Sequence, residues 1–147
     1  MKTLIVGGGA REHAIAWKLS TSSVITELLV APGNAGTAQL ARNISIRVED
    51  IDKLLHFALD EQIDLTVVGP ELPLANGISD RFKEAGLALF GPIKNAALIE
   101  SSKHFAKDLM LKHGVPTGTS MTFESYSEAI EHIQNSPMPV VVKADGL

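Results

Sequence analysis

Short β-branched or apolar runs alternate along this chain with longer segments in which apolar residues recur every three or four positions. The runs are TLIV (3–6), ELLV (27–30), LTVV (65–68), LALF (87–90) and VVV (140–142). Between them, 50–62 sets Ile51, Leu54, Leu55 and Ala58 on one helical face, and 75–85 does the same more weakly with Ala75, Ile78, Phe82 and Ala85. A third helix is predicted over 102–113, with Phe105, Ala106, Leu109 and Met110 inward and Gly114 and Pro116 as its stop. A fourth, over 126–134, carries Tyr126, Ala129, Ile130 and Ile133 and opens with Ser125 and Glu128 at capping-box spacing. Strands that are apolar throughout and alternate with helices predict an α/β fold, a parallel sheet with helices on both faces.

The pattern changes near residue 91, where GPIKNAALIESS interrupts the alternation and a second unit is expected to begin. That unit reads as helix, short strand near 119–123, capped helix and the final PVVVKADGL. An apolar strand at the very end needs partner strands that these residues do not supply, so the chain is expected to be truncated and its tail to fray or pair with another chain.

The segments that follow the strands narrow the function. Four consecutive runs end in glycine or proline: VGGG, APGNAG, VGPE and FGP. In a parallel sheet such loops gather at the carboxyl edge, where ligands bind. Glycine and proline also punctuate strand ends for purely structural reasons. Four such loops in a row, two with embedded polar residues, favour a shared site.

Composition removes several alternatives. The 147 residues suffice for one sizeable domain, or a small one with part of another. A net charge of −4 without long runs of one sign argues against nucleic-acid binding as the main task. There is no cysteine, hence no disulfide, zinc–thiolate site or thiol nucleophile. TLIV is too short for a signal-peptide core, and no apolar run is long enough to span a membrane, so a cytoplasmic location is expected. No cluster of Asp, Glu and His has metal-ligand spacing, and no metal site is expected within these residues.

The candidate chemistry starts at VGGGAREHA (6–14). Gly7, Gly8 and Gly9 let the backbone approach a ligand, and a helix from about Ala10 directs its free N–H groups to the same spot, which makes an anion site. Arg11 adds a planar fork suited to phosphate. A dinucleotide fingerprint would need glycine where Glu12 stands, and an acid at the end of the second strand, which instead reads VAPGNAG. One phosphate on a small molecule fits better than a pyrophosphate. In VGPELPL (68–74), Gly69 and Pro70 shape a turn presenting Glu71, either to sugar hydroxyls or simply to solvent. Asn34 is a candidate ligand or an ordinary turn residue. His13 either touches the ligand or packs the helix, whereas His56, His104, His113 and His132 are expected to be solvated. Lys103 at a helix start and Lys143 directly after VVV are candidate phosphate-binding cations.

Taken together, GGGAREHA (7–14), APGNAGT (31–37), DLTVVGPELPL (64–74), FGP (90–92), ESSKHFAKDLM (100–110) and VVVKADGL (140–147) resemble, in order and spacing, the phosphoribosylamine–glycine ligase family. The family often has glycine where Ala10 stands. The resemblance implies a Rossmann-like pre-ATP-grasp domain over 1–100 that binds phosphoribosylamine, followed by the start of an ATP-grasp domain over 101–147. It implies substrate contacts from Gly7, Gly8, Gly9, Arg11, Glu12, His13, Asn34, Gly69, Pro70, Glu71, Pro73 and Leu74, with Arg11 and Gly9 at the 5-phosphate and Glu71 at the ribose. Lys103 and Lys143 would contact ATP. It further implies glycine and ATP as substrates, Mg²⁺ or Mn²⁺ bound by residues beyond 147, no nucleic-acid or membrane partner, and no catalytic residue within this stretch. On that reading the 147 residues alone are expected to be inactive.

Overall fold

The computed structural model describes residues 1–146. They divide into two compact units, Met1–Ala97 and Leu98 onward. The first holds a five-stranded sheet: β1 (Lys2–Gly7), β2 (Glu27–Pro32), β3 (Arg42–Asn43), β4 (Leu65–Val68) and β5 (Leu89–Phe90). The order is β3-β2-β1-β4-β5 and every pairing is parallel, with Ile5 opposite Val30 on one side and Val67 on the other.

The central strands β1, β2 and β4 are mostly apolar because helices cover both faces, whereas the short edge strand β3 is Arg42–Asn43. On one face Leu4, Val6, Leu29, Ala31 and Val68 pack with Leu54, Leu55 and Ala58 of α2 (Ile51–Asp60) and with Ile78 and Phe82 of α4 (Ile78–Glu84). On the other, Ile5, Leu28 and Val30 pack with Ala16, Ile15 and Leu19 of α1 (Ala10–Ser20). Successive residues of β1 and β2 therefore go to opposite cores, as the period of two requires. The stripe predicted over 50–62 is the buried face of α2.

Three differences from the sequence pattern have local causes. The weak helical segment 75–85 is divided: α3 (Glu71–Ala75) ends at Asn76, and Gly77, at φ +89, turns the chain into α4. Ala85 is exposed just beyond that helix. The segment after FGP forms α5 (Lys94–Ser101), so the strand–helix alternation continues through it.

The second unit contains α6 (Lys103–Lys112) and α7 (Tyr126–Asn135). Ser102 caps α6 by accepting from the Phe105 N–H, and Ser125 caps α7 by accepting from the Glu128 N–H. Ala106, Leu109 and Met110 are half-buried, whereas Phe105 is exposed. Neither expected strand forms: residues 119–123 and 140–142 carry no sheet pairing, and Val141 and Val142 are 80% and 74% exposed. An extended segment without a neighbouring strand has no ladder to join. Among the described residues no helix is long and apolar enough to cross a membrane.

Candidate functional site

The chain runs from β1 to β2 and β3 on one side, then returns to place β4 and β5 on the other. The loops after β1 and β4 therefore diverge over the carboxyl edge at the topological switch point, the place where open α/β sheets bind ligands. Those loops are Gly7–Gly9 and Gly69–Glu71.

The glycines are required by close approach. Gly7 has φ +134, outside the range other residues adopt comfortably, and a β-carbon on Gly8 would lie 2.8 Å from the Gly33 carbonyl oxygen. The Gly33 N–H donates to the Gly7 carbonyl at 3.1 Å, joining the loops after β1 and β2. Gly9 then caps α1 in extended conformation.

Glu12 is the buried acid of this site, 4% exposed. Its Oε2 accepts from the Gly9 N–H at 2.6 Å. A β-carbon on Gly7 or Gly69 would collide with its side chain. Glu12 thus fills the space between the two switch-point loops. His13 packs against the backbone of Gly36, where a β-carbon would strike its ring.

Asn34 serves the loops from within. Its Nδ2 donates to the carbonyls of Gly8 (3.0 Å) and Gly9 (3.3 Å), and its Oδ1 accepts from the N–H groups of Gly36 (2.7 Å) and Thr37 (3.0 Å). Thr37, fully buried, donates to Asn43 Oδ1 at 2.8 Å, and Asn43 Nδ2 returns a bond to the Asn34 carbonyl at 2.8 Å. The asparagine side chain is spent on orienting the glycine loop. Thr37 and Asn43 complete this network; APGNAGT marked the turn, but nothing in the sequence tied it to Asn43.

Arg11 and Glu71 meet across the switch point. Arg11 Nη1 donates to Glu71 Oε1 at 2.8 Å and to the Gly69 carbonyl at 2.5 Å. That guanidinium, helped by the residue's own backbone N–H, holds the Glu71 carboxyl below its ordinary value. Pro73 and Leu74 lie buried in α3, Leu74 within the core, and support the loop from below.

A shallow cleft of about 490 Å³ opens beside these loops, lined by Gly7, Gly8, Gly9, Glu12, Pro32, Pro70 and the segment Arg47–Val48–Glu49. Arg11, Asn34 and Glu71 are not among its walls. Arg47–Glu49 follows β3 in irregular chain, with no motif to mark it. The arrangement suits an anion: a helix start, exposed glycine backbone at Gly9 and a neighbouring guanidinium.

In the second unit Lys103 and Lys143 line one cavity of about 680 Å³, with Lys107 and Asp145. Asp145 closes the start of α6: its Oδ1 accepts from the N–H groups of Lys103 (2.6 Å) and His104 (3.2 Å), and its Oδ2 accepts from Ser102 Oγ at 3.0 Å. These bonds, the His104 N–H first among them, lower the Asp145 carboxyl from its ordinary value. Lys103 Nζ donates to the Gly146 carbonyl at 3.1 Å, and Lys107 Nζ is held by Thr117 Oγ1 (2.6 Å) and the Gly118 carbonyl (2.9 Å). Asp145 was not foreseen, because an Asp-Gly pair reads locally as a turn and its partners lie about forty residues away.

A parallel sheet with a glycine loop and helix start at its switch point defines an open, doubly wound α/β domain with a ligand crevice at its carboxyl edge. The chain belongs to the phosphoribosylglycinamide synthetase family: residues 1–100 match its N domain and residues 101–147 its ATP-grasp (A) domain. It is 54% identical over its whole length to a phosphoribosylamine–glycine ligase of Caldanaerobacter subterraneus, and spans 35% of that protein. The crystal structure of the phosphoribosylamine–glycine ligase of Thermotoga maritima superposes with a TM-score of 0.72 at 32% identity, over all of this chain and 34% of the other. N5-carboxyaminoimidazole ribonucleotide synthetase of Thermus thermophilus shares the fold, with a TM-score of 0.70 at 21% identity over 93% of this chain and 37% of its own.

Proposed function

We propose that this chain is the amino-terminal portion of an ATP-dependent carboxylate–amine ligase that joins glycine to 5-phosphoribosylamine, giving glycinamide ribonucleotide, ADP and phosphate, in purine biosynthesis. The observation that carries it is the switch-point site, where the glycine loop, the start of α1 and Arg11 adjoin Glu71 in a chain 54% identical to a protein of that name. On this reading residues 1–100 bind the phosphoribosylamine and residues 101–147 begin the nucleotide-binding domain.

The first turn of α1 and Arg11 receive the 5-phosphate, and the Glu71 carboxylate, whose acidity Arg11 increases, accepts from ribose hydroxyls. Gly69, Pro70, Pro73 and Leu74 hold that carboxylate at the edge. Lys103 and Lys143, lining one cavity, face the phosphates of ATP. The glycine carboxylate attacks the γ-phosphorus, ADP departs, and an acyl phosphate forms. The ribosylamine nitrogen attacks its carbonyl carbon, phosphate leaves, and the nitrogen loses a proton as the amide forms. No enzyme nucleophile is needed; positioning and charge neutralisation carry the rate. Mg²⁺ would neutralise the ATP phosphates when bound; among the described residues no three His, Asp or Glu converge, and no step above runs through it.

Kinetics of the full-length enzyme, with each substrate varied in turn, test the assignment. Arg11→Ala should raise the KM for phosphoribosylamine and spare glycine and ATP. A rise confined to ATP would refute it.

A further inference from the structure

We propose that Glu12 is a specificity-determining residue: it occupies the switch-point crevice in place of a second phosphate and so bars diphosphate esters from the loop. In a dinucleotide-binding turn the second glycine lets the pyrophosphate approach the backbone, and the third lets the helix sit close to the sheet. Gly7 and Gly9 stand at the first and second of those positions. Glu12 stands at the third.

The side chain does not extend into solvent. It folds under the loop, 4% exposed, and its Oε2 takes the Gly9 N–H at 2.6 Å. The amide that a pyrophosphate would approach is thereby bonded internally. Its other oxygen fills the gap toward the loop after β4, where a β-carbon on Gly69 would collide with it. Collision with Gly7 from the other side shows that Glu12 is wedged between the two loops. One phosphate can still meet the first turn of α1 and Arg11. A second, directed into the crevice, would meet an acidic side chain in occupied space, with no free Gly9 amide. That the site normally takes a single sugar phosphate rests on the function proposed above; the exclusion of diphosphates does not.

The test titrates the full chain with ribose 5-phosphate and with ADP-ribose, read from the amide NMR shifts of Gly8 and Gly9 so that binding elsewhere is not counted. Glu12→Ala removes the wedge but leaves the β-carbon. It should bind ADP-ribose at the loop at least tenfold more tightly than the wild type. Glu12→Gln refills the volume and accepts from Gly9, and should exclude ADP-ribose as the wild type does. A folded Glu12→Ala chain with no gain, or a wild type that binds ADP-ribose as tightly as the variant, overturns the proposal. Should Glu12→Ala not fold, Glu12→Asp, which withdraws the carboxylate by one carbon, carries the test with a severalfold gain expected and no gain overturning it. Gain of ADP-ribose in the variant, with no ribose 5-phosphate binding by the wild type, would sink the sugar-phosphate reading and leave the exclusion standing.

Discussion

Arg11 and Glu71, 60 positions apart in the chain, form a 2.8 Å ion pair that closes the two switch-point loops on each other. Neither group is simply displayed to solvent. The arginine is aimed by a carboxylate and by the Gly69 carbonyl, and the carboxylate is held ionised by the arginine.

Removing Arg11 should therefore move Glu71. In Arg11→Ala the Glu71 carboxyl should titrate higher than in the wild type, returning toward the ordinary glutamate range, as followed by carboxyl ¹³C shifts against pH. The sign for stability follows from linkage. A folded-state value below the unfolded one stabilises the fold above the unfolded value, and this is lost as pH falls through the folded value. The wild type should accordingly lose more stability than Arg11→Ala between neutral and acidic pH. Equal losses in parallel denaturation series would show that the pair contributes nothing.

Asn34→Ala should destabilise the first unit by about 1–3 kcal/mol, because it strands the Gly8 carbonyl and the Gly36 and Thr37 amides. Asn76→Ala, at an exposed helix end, should stay within about 0.5 kcal/mol. Urea melts of the two variants compare them directly, and similar midpoints would mean that the Asn34 network does not order the loop.

Gly69→Ala should cost about 1–3 kcal/mol, since the added carbon collides with Glu12 and one of them must shift. In the double variant Gly69→Ala/Glu12→Ala that penalty should shrink, a non-additivity expected of residues in contact. Strict additivity in thermal melts would place the strain elsewhere.

Asp145→Ala should loosen the start of α6. The amides of Lys103 and His104 donate to its Oδ1, so their hydrogen exchange should accelerate while that of the α2 amides is unchanged. Unaltered exchange at both positions would show that Asp145 does not order the helix start.

Lys143→Ala in the full-length enzyme should weaken ATP and leave sugar-phosphate affinity intact, because Lys143 and the glycine loop belong to different units. Nucleotide titration decides this, and unchanged ATP affinity with normal turnover would remove Lys143 from the site.

Periodicity alone was enough for the parallel α/β class, for strands β1, β2 and β4, and for α2 with its buried stripe. Each depends on neighbours within a few residues: side-chain alternation, capping serines and glycines that relieve local crowding. The break between α3 and α4 at Gly77 and the helix α5 were not legible in the apolar pattern. The roles inside the site divide in the same way. That Gly7–Gly9 opens an anion-binding turn is legible in a nine-residue stretch. That Glu12 is wedged beside Gly69, that Asn34 is spent on the Gly8 and Gly9 carbonyls, and that Arg11 is aimed by Glu71 became visible only in three dimensions. Those partners are brought together by strand order. Sheet order depends on the burial of both faces at once, whereas a motif records only which side chains stand side by side in the chain.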